Sequence, residues 1–487
     1  MSRHTLMSCS SHWEPVIGLE IHVQLNTESK LFSTSPASVH PVPNTSANLV
    51  DLAIPGTLPV LNKEALNKAI MFGVAIGASI SPTCRFERKS YFYPDLPKGY
   101  QITQLANPIV GKGSLDLHVD GDTVKTIGIT RAHLEEDAGK SIHDRYEKVT
   151  AIDLNRAGTP LLEVVTEPDL NSSSEAAACF RQLHTLVTWL GICDGNLNEG
   201  SMRCDANVSV RRHGTQALGN RTEIKNVNSF RFVERAVQYE IDRQISLLEQ
   251  NETVERETRL YDVERDETRR MRGKEFSDDY RYFPDPDLLP VEVSQDLVRS
   301  ISQSMPELPS NRRKRYTTYL NLNPAVAALL TRDRATSDYF EAICKVTNNA
   351  SLVANWVLGN VSSVLNRDAI TIEKFSLSPE SLGVILRHVD SGEVSDALAK
   401  QVFDQVLSQG GSVHDVLDQV KQARISDNSE LRELAQTILA SHPDQVKQLS
   451  EGKSKVLGFL IGQAMKTSHG KADPKKLSEI FIELTST

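Results

Sequence analysis

The chain has 487 residues, several times the usual domain length, so two or three domains are expected. Its 39% hydrophobic and 24% charged residues are ordinary for a globular protein with a sizeable core. The net charge of −9 excludes a generally adhesive nucleic-acid binder but leaves open a local RNA footprint, which depends on patches rather than totals.

Residues 1–13 carry neither the apolar run of a secretory signal nor the Arg-rich pattern of a transit peptide. No later stretch approaches the roughly 18 consecutive apolar residues of a membrane helix. The expected compartment is a cytoplasm, bacterial in preference to an organelle matrix. Strand-like alternation is predicted over residues 16–25, 123–130, 161–166 and 203–210, with turn signals such as Asp95-Leu-Pro-Lys98 and Gly158-Thr-Pro160 between them. Ser172 and Glu175 form a capping-box pattern, after which Phe180, Leu183, Val187 and Leu190 share a helix face. Beyond Tyr280-Arg-Tyr-Phe-Pro-Asp285 the pattern is helical from about residue 295, with a basic cluster at Arg312-Arg-Lys-Arg315. The expected fold class is α+β: a β-rich domain over 1–292, a helical domain over 293–390, and a small all-α tail over 391–487. The six cysteines form no CxxC pair and read as reduced, buried thiols.

Chemistry concentrates in the first region. In Val16-Ile-Gly-Leu-Glu-Ile-His-Val-Gln-Leu25 the period of two sends Ile17, Leu19, Ile21, Val23 and Leu25 to one face and Glu20, His22 and Gln24 to the other. A carboxylate and an imidazole two residues apart can reach one divalent ion, but they also suit an exposed polar strand face. Glu135-Glu-Asp137 follows His133, and Glu163 interrupts the apolar run Leu161, Leu162, Val164, Val165, where burial demands a partner. Asp205, Asn207 and Ser209 alternate on one face of a later strand. Spacing alone does not decide between a shared Mg²⁺ site and scattered salt-bridge partners. Ala138-Gly-Lys-Ser141 resembles the end of a P-loop, but Leu134 stands where the first glycine is required, so any ATP site is of another type. The tail lysines Lys466, Lys471, Lys475 and Lys476 suit either a solvated face or modest phosphate-backbone contacts.

Several segments resemble the B subunits of the aspartyl/glutamyl-tRNA amidotransferases (the GatB family), in order and over essentially the whole chain. They are Val16-Ile-Gly-Leu-Glu-Ile-His22, Lys89-Ser-Tyr-Phe-Tyr-Pro-Asp95, Glu135-Glu-Asp-Ala-Gly-Lys140 and Asp153-Leu-Asn-Arg-Ala-Gly-Thr-Pro160. Further along come Glu199-Gly-Ser-Met-Arg-Cys-Asp-Ala-Asn207, Glu223-Ile-Lys-Asn-Val-Asn-Ser-Phe230, Ser277-Asp-Asp-Tyr-Arg-Tyr-Phe-Pro284 and Gly470-Lys-Ala-Asp-Pro474.

The resemblance implies a heterotrimer in which this chain uses ATP and Mg²⁺ to phosphorylate the side-chain carboxylate of Glu-tRNA(Gln) or Asp-tRNA(Asn). The amidase of the complex, its A subunit, supplies channelled ammonia from glutamine or asparagine, and the small C subunit braces the pair. It implies a β-rich cradle, a helical domain and a tail that touches the tRNA. It assigns His22, Glu136 and Glu163 as metal ligands, with Glu20 and Glu135 beside them; Glu199 and Asp205 are placed as neighbours lining a second ion or the ammonia route. Lys89, Arg156 and Lys225 are candidates to neutralise developing charge. Because Glu135 and Glu136 face opposite ways in a simple strand, a bulge or turn is expected to intervene. Many family members carry cysteines after the first strand, consistent with zinc. Here Leu31-Phe-Ser-Thr-Ser35 and Asn48-Leu-Val-Asp-Leu-Ala-Ile-Pro55 have none, so no zinc is expected and turn packing should hold that loop.

Overall fold

The computed structural model describes residues 12–38, 42–118, 124–143, 147–225, 227–273, 279–422, 428–450, 455–468, 472 and 474–485. The chain divides into two compact units, Met1–Leu308 and Pro309–Thr487. The fold is α+β, with a large mixed sheet in the first unit and helices throughout the second. Among the described residues no helix is long and apolar enough to cross a membrane.

Among the described residues the largest sheet of the first unit has eight strands: β1 (Trp13–Gln24), β2 (Gly113–His118), β3 (Val124–Glu136), β4 (Pro160–Thr166), β5 (Met202–Arg212), β6 (Thr222–Lys225), β7 (Glu257–Asp262) and β8 (Glu267–Gly273). Their spatial order is β8-β7-β6-β5-β1-β4-β3-β2, antiparallel except for the β6–β7 pair. Strand β1 is central, and its odd residues Ile17, Leu19, Ile21 and Val23 have no exposed surface. Each such burial contributes roughly 1.5–3 kcal/mol. Helices α1 (Lys63–Ala75), α2 (Ser173–Trp189) and α3 (Phe230–Glu249) contribute to the same core. The expected cap of α2 forms, with the Ser172 hydroxyl accepting from the Glu175 amide at 3.1 Å. Phe180, Leu183, Val187 and Leu190 are all buried.

A bulge in β3 between Ile129 and Arg131 shifts its register against β4. Before it, Ile127 and Ile129 enter the core; after it, Ala132 and Leu134 do. The extra residue therefore inverts the alternation and turns Arg131, His133 and Glu135 to the face that carries Glu20 and His22. The bulge expected between Glu135 and Glu136 is not there: the ladder runs on through Glu135 opposite Leu161 and Glu136 opposite Pro160.

The segment after β1 is held by a polar knot. The Ser33 and Ser35 hydroxyls donate to the two oxygens of Asp51 at 2.8 and 2.7 Å, and the Asn48 amide donates to the same carboxylate at 2.9 Å. The ammonium of Lys30, itself wholly buried, lies 3.3 Å from Asp51. Burial pushes the Lys30 pKa down, and Asp51 opposes that shift.

The first unit continues past the expected boundary at 292, because the helix Gln295–Ser304 buries Ile301 in the first core. Among the described residues the second unit contains two apolar cores. One runs from Tyr316 to Leu417 and includes Leu398, Val402 and Phe403, beyond the expected division at 390; the other gathers Leu431 to Phe481.

Replacing Asp51 by Ala leaves Lys30 buried without a counter-charge. A loss of about 3–5 kcal/mol of stability is expected, read as a lower midpoint in urea denaturation. An unchanged midpoint contradicts a buried pair.

Candidate metal centre

Three adjacent strands build the centre. His22 on β1 stands opposite Glu163 on β4, which in turn stands opposite His133 on β3. The Nε2 of His22 lies 3.5 Å from Glu135 Oε1 and 3.5 Å from Glu163 Oε2. The Nε2 of His133 lies 3.7 Å from Glu135 Oε2 and 3.5 Å from Glu163 Oε2. Two carboxylates are thus straddled by two imidazoles. Among the described residues, His22, Glu135 and Glu163 have donor atoms all within 4.8 Å of one another. One imidazole and two carboxylates fit a divalent cation and leave positions for water and phosphate oxygens.

The electrostatics follow from packing carboxylates against imidazoles under burial. Burial works against charge on Glu163, but His133 and His22 outweigh it and hold its carboxyl well below the usual range. Burial also opposes charge on His133, yet Glu163 and Glu135 raise its pKa to about 9. His22 is raised for the same reason, against its burial. Glu20 is raised by burial and then by the charge of Glu163, although the Asn207 amide donates to it at 2.8 Å.

Beside Glu20 opens a cavity of about 430 Å³, lined in part by Gly18, Thr166, Asn207, Arg221 and Arg256. A smaller cavity of about 290 Å³ lies past the other end of β1, between Gln24, Asn26, Asp194, Glu199 and Ser201. Glu199 is therefore placed away from the imidazole–carboxylate cluster. Asp205 and Glu223 pair with the Lys225 ammonium at 2.8 and 3.1 Å. Burial disfavours that charge, but the two carboxylates prevail and hold it above the usual lysine range. Asp137 accepts from Arg203 at 2.7 Å, and Arg156 reaches Asp137 at 3.4 Å while donating to the carbonyls of Ala138 and Gly139. Lys89 lies over the rings of Tyr280 and Tyr91 at 4.8 and 5.8 Å.

Glu136 is placed elsewhere. With no bulge between it and Glu135, its carboxylate turns to the opposite face, pairs with Lys98 and accepts the Ile102 amide at 2.9 Å. Glu135 takes the place beside His22 and Glu163. In the second unit, Lys466 is exposed near the end of the helix Lys455–Thr467, and Lys475 and Lys476 lie in the helix Pro474–Thr485. Lys476 is half-buried, the Lys475 side chain falls outside what is described, and Lys471 lies outside the described residues. Sequence reasoning gave no role to His133, Arg203 or Lys98. For His133 a signal existed, because it lies two residues from Glu135 and so shares its face.

The family model described as the GatB/GatE catalytic domain matches residues 15–299, and that of the GatB domain matches residues 338–484. The chain belongs to the GatB family. It is 50% identical over 473 residues to the B subunit of an aspartyl/glutamyl-tRNA(Asn/Gln) amidotransferase of Ectopseudomonas mendocina, covering 96% of this chain and 98% of that protein. Proteins of the same name from Thioalkalivibrio sulfidiphilus and Hahella chejuensis are 49% and 48% identical, over 96% and 97% of this chain and 98% and 100% of theirs. The cluster residues His22, His133, Glu135 and Glu163 lie inside the matched catalytic domain.

Direct titration with Mn²⁺ separates the two neighbouring glutamates. Glu135→Gln is expected to weaken binding by at least about tenfold. Glu136→Gln is expected to leave affinity unchanged but to cost about 3 kcal/mol of stability by stranding Lys98. The reverse pattern assigns the ion to Glu136.

Proposed function

We propose that this chain is the B subunit of a tRNA-dependent amidotransferase, activating the side-chain carboxylate of Glu-tRNA(Gln), Asp-tRNA(Asn) or both with ATP. The observation that carries the reading is the His22–Glu135–Glu163 cluster on a strand face that continues through Glu20 into a cavity. A carboxylate is a poor electrophile toward ammonia, because amide formation would expel oxide or hydroxide. An acyl phosphate has a good leaving group, so the chain must bring a phosphoryl donor and the carboxylate into line.

The chain's own residues divide that work. The cavity beside Gly18 is the place for the nucleotide, with Arg221 and Arg256 on its rim supplying positive charge toward phosphates. Glu20 lines the same cavity, where the Asn207 amide holds its carboxylate at 2.8 Å. Mg²⁺ held by His22, Glu135 and Glu163 would neutralise charge developing on the transferred group and fix its oxygens. Lys225 holds Asp205 and Glu223 in place, and Arg156 with Arg203 fixes Asp137 at the end of β3. The half-buried setting limits hydrolysis of the acyl phosphate.

No cysteine here has a motif-level partner for releasing ammonia, so ammonia comes from an amidase, the A subunit of a heterotrimer that also contains a small C subunit. Glu199 and its cavity line a route for it, and the tail lysines contact the tRNA. The working compartment is a cytoplasm.

The test uses the assembled complex with misacylated tRNA, ATP and no amide donor. His22→Ala and Glu135→Ala are expected to lower phosphate release at least about 100-fold with tRNA binding intact. Unchanged release overturns the assignment and favours a scaffold that only positions a partner.

A further inference from the structure

Between the strands Glu87–Ser90 and Tyr100–Thr103 a short loop displays two aromatic rings in the open. Phe92 is 90% exposed and Tyr93 59% exposed. Large rings this accessible are unusual in a chain with an ample core, and here they are adjacent. The loop is not loose. Tyr91 donates its amide to the Gly99 carbonyl at 3.1 Å, and Leu96 donates to Tyr93 at 3.0 Å. Gly99 has a φ of +72°, and a Cβ there would meet the Phe92 ring at 3.1 Å, so the ring lies against bare backbone.

The loop is also tied to the centre. Lys98 pairs with Glu136, the neighbour of Glu135. The Gly139 amide donates to the Asp95 carbonyl at 2.9 Å, and Ser141 donates to the Asp95 carboxylate at 2.9 Å. Tyr91 and Tyr282 pack edge-on against Tyr280 with ring centroids 6.2 and 6.0 Å away, and the hydroxyls of both feel the charge of Glu135. Lys89, from the same motif, has no carboxylate partner among the described residues and faces only the rings of Tyr280 and Tyr91. Aromatic side chains therefore run from the centre to the surface, with one uncommitted ammonium among them.

We propose that Phe92 and Tyr93 form a stacking platform for the unpaired 3′ end of the aminoacylated tRNA, with Lys89 serving its phosphate backbone. The proposal rests on the function proposed above. The substrate carboxylate is only a few bonds from the terminal ribose, so the last nucleotides must lie near the centre when the carboxylate is in it. Stacking on aromatic rings is the contact that unpaired bases make irrespective of sequence, and an unpaired lysine suits their phosphates. Both rings are open to solvent, whereas a small nucleotide is better enclosed by the cavity beside Glu20.

The assembled complex is titrated, without ATP, with full-length tRNA and with the same tRNA lacking its unpaired 3′ nucleotides. Wild type is expected to bind the full-length form about tenfold more tightly or better. The double variant Phe92→Leu with Tyr93→Leu is expected to bring full-length tRNA down to the truncated level, leave truncated tRNA unaffected, and recover when Phe92→Trp is introduced instead. Equal affinity of wild type for both tRNAs overturns the platform. So does a variant that raises KM for ATP with tRNA affinity unchanged, which assigns the rings to adenine of ATP. Failure of the variant complex to assemble on size exclusion also overturns it, assigning the rings to contact with another chain of the complex. If the phosphorylation reading itself fails, wild type releases no phosphate, while the difference between the two tRNAs stands independently.

Discussion

The alternation along β1 is the constraint on which the centre depends. Odd residues close the core and even residues carry Glu20 and His22, so a slip of one residue would bury an imidazole and a carboxylate while exposing isoleucine and leucine. The apolar cost of such a slip fixes the register, and the register places His22 opposite Glu163. The geometry of the imidazole–carboxylate cluster is thus a by-product of hydrophobic burial on the other side of the same strand.

Collecting carboxylates on one sheet face is electrostatically unfavourable unless each has a counter-charge. Glu135 and Glu163 are flanked by His22 and His133, Asp137 by Arg203 and Arg156, and Asp205 with Glu223 by Lys225. Glu20 has an amide partner rather than a cation, and burial with the charge of Glu163 raises its pKa against that hydrogen bond. That acid lines the larger of the two cavities. In the first unit, the Asp51 knot shows the same rule away from the centre: its carboxylate is buried only because Lys30, two serines and an amide attend it.

Much of this was legible in the sequence because it rests on local period. The β1 alternation, the Ser172 cap and the helical character after residue 295 are all properties of short windows. What was hidden is non-local. The β3 bulge leaves no signature in the sequence and cuts the apparent alternation at about residue 130, so a strand that reaches Glu136 reads as one that stops early. It also decides which of two adjacent glutamates joins His22. Resemblance to the family named the neighbourhood, but only strand parity separates Glu135 from Glu136. The first unit extends past 292 because burial of Ile301, a tertiary event, draws a later helix into the first core.

The central claim is that the substrate carboxylate itself becomes phosphorylated. It is tested most directly by labelling that carboxylate with ¹⁸O in the misacylated tRNA and running the complete reaction with ATP and ammonia. Phosphorylation requires one labelled oxygen to leave with the phosphate, so inorganic phosphate carrying a single ¹⁸O is the predicted product. Unlabelled phosphate formed alongside amidated tRNA would contradict the account.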